Sequence, residues 1–159
     1  MIVKAKPLTA EAFMPYGQVL MAKGDGPQRR EFAAEMQNLR PDAKPNLTFM
    51  RVPVAQPPLL ITALERHRFS NQAFVPLCGT RHLIAVCPSA SDGEPELADL
   101  RAFVADGSQA VNYNADVWHA PRAALGAPGQ FVMFRWDDGS PEDTETRTLA
   151  AAINVEPEV

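Results

Sequence analysis

The chain has 159 residues, of which 46% are hydrophobic and 21% charged, with a formal net charge of −4. That length and composition describe one globular domain, residues 1–159, with enough apolar material for a sizeable core. The acidic balance excludes a basic nucleic-acid-binding face, and no run reaches the roughly 18 apolar residues of a membrane-spanning helix.

The opening Met1-Ile2-Val3-Lys4-Ala5-Lys6-Pro7 lacks the apolar stretch of a signal peptide, so the expected location is the cytoplasm. Two cysteines, Cys78 and Cys87, both stand in apolar runs. They are expected as free, buried thiols in a reducing compartment. The 15 prolines, against 9 glycines, punctuate many short apolar runs. That pattern favours an all-β design with irregular connections.

Thr9 is placed to cap a short N-terminal helix, with Glu11 in its first turn and Pro15-Tyr16-Gly17 ending it. Gln18 to Met21 reads as a strand, and Ala22 to Arg30 as a loop. Glu31 to Pro45 has weak periodicity and receives no assignment. Leu47 to Val52 alternates as a strand does. Leu60 to His67 is a further strand, and strict alternation sends Glu65 and His67 to one face, Leu64 and Arg66 to the other. Gln72 to Leu77 and Arg81 to Val86 follow, separated by a turn at Gly79. Pro88 to Pro95 is a polar loop. Leu100 to Val104 and Gln109 to Tyr113 flank Asp106-Gly107, a hairpin turn signal. Gln130 to Trp136 is the last clear strand. Ser140 resembles a helix cap, but Thr144-Glu145-Thr146 is poor helix material, and the tail stays unassigned. The whole predicts a β-barrel or jelly roll.

Two stretches spend strand positions on groups able to bind metal. Glu65 and His67 sit two apart, about 6.5–7 Å along an ordinary strand. Gln72 follows after a short turn, and His119 arrives from a distant strand. Barrel closure brings inward residues of separate strands to one lumen. Imidazole with carboxylate or amide oxygen suits nickel, manganese, iron or zinc. The spacing resembles the cupin signature, whose first motif runs His-any-His, then Glu, then Gly. Here the frame holds Glu65, His67, Gln72 and Gly79. The second cupin motif runs from a Gly to a His, and Gly107 to His119 matches it. Two ligand positions differ, Glu for the first His and Gln for the Glu.

Those substitutions have their own likeness. Leu64-Glu65-Arg66-His67, Gln72-Ala73-Phe74-Val75-Pro76-Leu77, Leu100-Arg101-Ala102-Phe103, Val111-Asn112-Tyr113 and Val117-Trp118-His119-Ala120-Pro121 resemble the ureidoglycolate lyase family of the cupin superfamily. The opening Pro7-Leu8-Thr9, Phe13 and Tyr16-Gly17-Gln18-Val19 is also similar to that family's start. The segment Phe32 to Asn46 does not follow its pattern.

The resemblance implies a cupin-type β-barrel homodimer that splits (S)-ureidoglycolate into glyoxylate and urea during allantoin breakdown. It implies a divalent metal, usually nickel, held by Glu65, His67, Gln72 and His119. A neutral Gln72 predicts weak retention of that metal. Glu65, His67 and His119 are also the expected catalytic groups. Arg66 or Arg101 would pair with the substrate carboxylate, Asn112 and Tyr113 would bind the urea end, and Trp118 would wall the pocket. Strict alternation turns Arg66 away from His67, so Arg101 is the better placed of the two. His82 lies outside both motifs and is expected to be structural. Two other functions fit the same residues: a metal-cupin lyase or isomerase for another small 2-hydroxy or 2-oxo acid, and a non-catalytic binding barrel that has lost its metal.

Overall fold

The computed structural model describes residues 1–22 and 24–157. Its strands in chain order are β1 (Ile2–Pro7), β2 (Gly17–Leu20), β3 (Lys44–Val52), β4 (Leu59–Arg66), β5 (Gln72–Pro76) and β6 (Gly79–Cys87). They continue with β7 (Arg101–Gly107), β8 (Ala110–Tyr113), β9 (Trp118–His119), β10 (Ala123–Ala124), β11 (Gly129–Asp137) and β12 (Glu145–Pro157). One short helix, α1 (Ala10–Phe13), starts where Thr9 accepts a hydrogen bond from the Ala12 backbone N–H. Position 23, inside the loop expected at 22–30, lies outside the described residues.

The strands form two sheets. The first has the order β10-β6-β7-β1-β12-β4-β9, and β9 also pairs with β6. That extra pairing closes β6, β7, β1, β12, β4 and β9 into a ring. The second sheet has the order β2-β8-β5-β11-β3 and lies against one side of the ring. This is a cupin-type β-barrel.

Alternation along the shared strands divides the apolar residues between two interiors. Leu83, Ala85 and Cys87 on β6 join Ala102 and Val104 on β7, Ala5 on β1, Ile61 and Leu64 on β4, Ile153 and Val155 on β12, and Trp118 on β9. These fill the ring. The intervening residues Ile84, Val86, Phe103 and Ala105 face the second sheet, where they meet Phe13, Phe74, Val111, Tyr113, Phe131 and Met133. That space between the sheets is the lumen. Burying each large side chain is worth roughly 1.5–3 kcal/mol.

Three local features set the lumen's geometry. The β4–β12 pairing breaks register between Thr148 and Ile153, opposite Thr62. The break shifts the phase of β4, so Ile61 and Leu64, three apart, both enter the ring core and Glu65 turns to the lumen. Gly79 and Gly107 are paired across β6 and β7. A Cβ on Gly107 would lie 1.8 Å from the Gly79 carbonyl carbon, so the glycines that bound the two cupin-like motifs are where two backbones meet.

The structure departs from expectation in several places. Residues 100–104 and 109–113 are strands but not a hairpin. The Asp106-Gly107 turn carries the chain from one sheet to the other: β7 pairs with β6 and β1, and β8 with β2 and β5. A turn signal fixes a reversal, not the strand's partner. The unassigned tail contains β12, thirteen residues long. Its Thr, Ile and Val content suits a strand, but its exposed run Ala150-Ala151-Ala152 hides the alternation. β1 is a further strand without an expectation, because its lysines and proline disguise an interior strand that pairs parallel with both β7 and β12. Cys78 is exposed rather than buried, while Cys87 is buried in the ring.

Candidate active site

β4 brings Glu65 to the lumen, and β9 pairs directly opposite it, placing His119 alongside. His67 falls just past the end of β4. The Asp116 backbone N–H donates to its carbonyl at 2.8 Å, which ties that turn to the loop before β9. The ligating atoms of Glu65, His67 and His119 all lie within 4.8 Å of one another. His67 and His119 are buried, while the Glu65 side chain is 29% exposed and opens the cluster to solvent.

The hydrogen bonds at the imidazole Nδ1 atoms decide what these rings can do. His67 Nδ1 donates to the Asp143 carbonyl at 2.7 Å. His119 Nδ1 donates to the Val117 carbonyl at 2.9 Å. Each ring therefore carries its proton on Nδ1 and turns the Nε2 lone pair inward. Both Nε2 atoms are buried without a hydrogen-bond partner. His119 Nε2 stands 3.4 Å from Glu65 Oε1, so two acceptors face each other with a third close by. Such a set needs a shared cation, either a proton or a metal ion.

Electrostatics agree with this reading. Burial, reinforced by the neighbouring His119, pulls His67 down to about 4, which leaves it a neutral lone-pair donor at physiological pH. His119 beside Glu65 holds that carboxyl below its ordinary range, against the opposing effect of burial.

A supporting layer fixes the ligands. Arg135 on β11 donates to Thr144 Oγ1 at 2.9 Å beside His67. Arg40 pairs with Asp138 and with Asp143, the residue whose carbonyl holds His67. The Tyr113 ring stacks on His119 with centroids 4.4 Å apart and planes 9° apart. Gln72 is buried, in register with Tyr113 on one side and Arg135 on the other, and its amide oxygen has no partner. Of the four expected metal ligands, three converge and the fourth lies on β5 in the second sheet, its amide oxygen without a partner.

The expected substrate contacts separate more widely. Tyr113 alone of them stands at the histidine cluster. Arg66 is buried, ion-paired with Glu145 at 2.7 Å and Asp116 at 3.0 Å, and lies over Trp118. Trp118 fills the ring core and donates to the Gly93 carbonyl. Arg101 is exposed beside Asp99. Asn112 is buried with its polar atoms engaged: it donates to Gln18 and to the Glu35 carbonyl, and accepts from Asn71.

That last network explains the segment that departs from the family pattern. Residues 35–39 form a strap across the start of β5. The Asn71 backbone N–H donates to the Gln37 carbonyl, the Leu39 N–H to the Phe69 carbonyl, and Gln37 Oε1 accepts from Ala115. The strap is thus packed beside the strands that carry Gln72 and Tyr113.

Two lumen residues were not singled out for binding from sequence. His82 is buried with its ring against Phe131 at 5.2 Å, and its Nε2 has no partner. Arg122 lies three residues past His119, with its guanidinium in the lumen against Phe74. A lone arginine in the otherwise apolar Ala120-Pro121-Arg122-Ala123-Ala124, at even spacing from the lumen residue Ala124, was the available signal.

Comparison with known proteins adds a second line. A family model described as ureidoglycolate lyase matches residues 1–156. The ureidoglycolate lyase of Schizosaccharomyces pombe is 33% identical, with 89% of this chain and 87% of that protein covered. The ureidoglycolate lyase of Pseudomonas savastanoi pv. phaseolicola is 41% identical over 80% of this chain and 79% of its own length. Among solved structures, a dTDP sugar isomerase from Desulfovibrio desulfuricans G20 superposes with a TM-score of 0.53 at 14% identity, covering 85% of this chain and 83% of the other. That last likeness shows the fold alone.

Proposed function

We infer the function from a settled premise: this chain belongs to the ureidoglycolate lyase family. We propose that it cleaves (S)-ureidoglycolate into glyoxylate and urea, as a single cupin-like domain over residues 1–159. The observation that carries this reading to a site is the set of three converging lone pairs on Glu65, His67 and His119.

Ureidoglycolate is a carbinolamine, with hydroxyl, carboxylate and a urea nitrogen on one carbon. Its cleavage removes the hydroxyl proton and protonates the departing nitrogen. Glu65 is the ionised and solvent-open member of the cluster. It is the group to take the hydroxyl proton and return it to the urea nitrogen. His67, held neutral by burial, and His119, each fixed by its Nδ1 bond, hold the inner side. Tyr113, whose hydroxyl burial keeps protonated, walls the site and offers a donor.

The donor set fits a divalent cation held by Glu65, His67 and His119, with Gln72 as a fourth, neutral ligand. Nickel is the identity the family resemblance favours. When bound, such an ion supplies Lewis-acid stabilisation of the oxygen that loses its proton. With a neutral amide in place of a fourth charged or imidazole donor, the ion is weakly retained.

We place the protein in the cytoplasm, a reading that two free cysteines support. None of the described helices is long and apolar enough to cross a membrane. A homodimer is supported by the outer face of the second sheet, where Leu47 and Phe49 on the edge strand β3 are 72% and 65% exposed. β11 connects them to exposed Val75 on β5. Such an apolar edge is relieved by pairing with a second copy.

The strap over 35–39 favours one alternative, a metal-cupin lyase or isomerase for another small 2-hydroxy or 2-oxo acid. One assay separates the two. Purified protein is given (S)-ureidoglycolate with added nickel, without it, and after chelation. Metal-dependent release of glyoxylate and urea in equal amounts is expected. No release under any of these conditions transfers the reading to the alternative.

A further inference from the structure

The lumen contains a cation that neither the acid–base chemistry nor the metal shell uses. The Arg122 guanidinium carbon lies 4.1 Å over the Phe74 ring, and 5.7 Å from the centroids of both Tyr113 and Phe131. All three guanidinium nitrogens are buried, none makes a hydrogen bond of good geometry, and the polar group that approaches them is the neutral Tyr113 hydroxyl. Among the described residues no carboxylate forms an ion pair with it, although every other buried or half-buried arginine at the site does so: Arg40, Arg66 and Arg135 each have a carboxylate partner.

A buried guanidinium with no carboxylate partner and at most one neutral hydroxyl beside its five donors is expensive to keep. The aromatic faces offset part of that cost, since each cation–ring contact is worth roughly 0.5–2 kcal/mol. They satisfy no N–H donor. An arginine retained under such conditions is arranged for a planar anion that is absent from the resting protein.

The fold explains how the side chain comes to be there. β10 pairs Ala124 with His82 and Ala123 with Leu83. Ala124 and His82 face the lumen, and Arg122, two residues before Ala124, has the same phase. Tyr113 touches both groups, with its ring 5.7 Å from the Arg122 guanidinium carbon and stacked on His119. Burial and the nearby arginine keep His82 neutral, down to about 4, so the arginine is the cation that this part of the lumen offers an anion.

We propose that Arg122 is the anchor for the substrate's carboxylate, gripping it in the lumen beside Phe74 and Tyr113. This rests on the lyase reading for the identity of the acid. The anion subsite itself stands on Arg122's unpaired burial. It also explains why the arginines expected from sequence, Arg66 and Arg101, are not needed for the task.

The test uses the full chain with Arg122→Met and Arg122→Lys, and the product glyoxylate as the binding probe, with urea as the control ligand. Glyoxylate affinity, measured by calorimetry and by product inhibition, is expected to weaken roughly thirtyfold or more in Arg122→Met and to recover in part in Arg122→Lys. Urea inhibition and nickel affinity stay unchanged. The KM for ureidoglycolate rises more than kcat falls. Arg122→Met is expected to melt at a higher temperature than the wild type, because an unpaired buried cation has been replaced by an apolar side chain of similar length.

If Arg122→Met binds glyoxylate as the wild type does, or melts lower with its glyoxylate affinity intact, Arg122 is a packing residue and the proposal falls while the lyase reading stands. If the wild type lacks lyase activity but binds glyoxylate through Arg122, the reverse holds: the subsite stands and the substrate is another small acid. Should Arg122→Met not fold, Arg122→Lys carries the test. Unchanged glyoxylate affinity in that variant overturns the bidentate grip.

Discussion

The two interiors of this molecule share β4, β6, β7 and β9, yet they are built to opposite rules. Inside the ring every buried core residue is aliphatic, a cysteine or Trp118, and the one indole N–H is satisfied by the Gly93 carbonyl. Across the same strands, the lumen keeps His67 Nε2, His119 Nε2, His82 Nε2, Gln72 Oε1 and the Arg122 nitrogens buried without partners. A protein able to pack one interior fully has not failed at the other. The unsatisfied atoms collect in the lumen, around the proposed site, and the ring supplies the stability that tolerates them. Leu64 and Glu65, adjacent on one strand, belong to the two regimes.

The comparison breaks most sharply at the histidines. His119→Ala and His67→Ala are each expected to lower the rate of glyoxylate and urea release roughly a thousandfold. Neither should lower the thermal midpoint by more than a few degrees, because each removes a buried lone pair that the resting fold does not satisfy. Parallel metal analysis of the purified variants should show reduced nickel retention. A variant that keeps its activity would remove the cluster from the mechanism.

Leu64→Ala tests the other interior. Its side chain is fully buried in the ring, and truncation leaves a cavity worth roughly 2–5 kcal/mol of stability. Urea denaturation should show that loss, while kcat per folded molecule stays within about threefold of wild type by the same transition-state arithmetic. A loss below about 1 kcal/mol would mean that the ring is not the stabilising unit.

The sequence made the lumen's chemistry easier to read than its walls. The convergence of Glu65, His67 and His119 is legible in the sequence because groups able to hold a metal are few and their spacing is specific, and period-two alternation places the first two together. Gly79 and Gly107 were legible as frame positions, though not as a mutual close approach. The contacts that cross between strands were not. Whether an arginine is paired depends on what lies opposite it, and nothing near Arg66 in sequence announces Glu145. Arg122 was overlooked for the same reason, as was the division of β7 and β8 between two sheets. β12 was missed because its exposed alanine run has neither period.

Acid should loosen the lumen before the ring. His82 is held at about 4 by burial first and Arg122 second, with Asp106 opposing, against an ordinary value of 6.5. The unfolded chain therefore takes up a proton between those values and the folded chain does not. Stability from this residue is complete above about pH 6.5 and is lost as pH falls towards 4, by on the order of 2–3 kcal/mol. Denaturant titrations of wild type and His82→Phe at pH 7 and pH 4.5 should show a smaller drop in the variant. Equal drops would place His82 in contact with solvent.

The smallest effect gives the finest view of the ring, because one of the two thiols is exposed and the other is buried in the ring core. Cys78 is exposed, and the Thr80 hydroxyl and the Gln130 backbone N–H beside it hold its thiol below the ordinary range. Cys87 is buried in the ring, and burial pushes its thiol up to about 12. Iodoacetamide at pH 8 should modify Cys78 within minutes and leave Cys87 untouched in the native protein. The labelling of Cys87 then becomes a clock for ring opening, since reaction requires the core to be exposed. If the ring is the last part to open, the denaturant dependence of Cys87 labelling should equal that of global unfolding. A shallower dependence would mean that β6 and β9 part locally, and that the pairing which closes the ring is its weak seam.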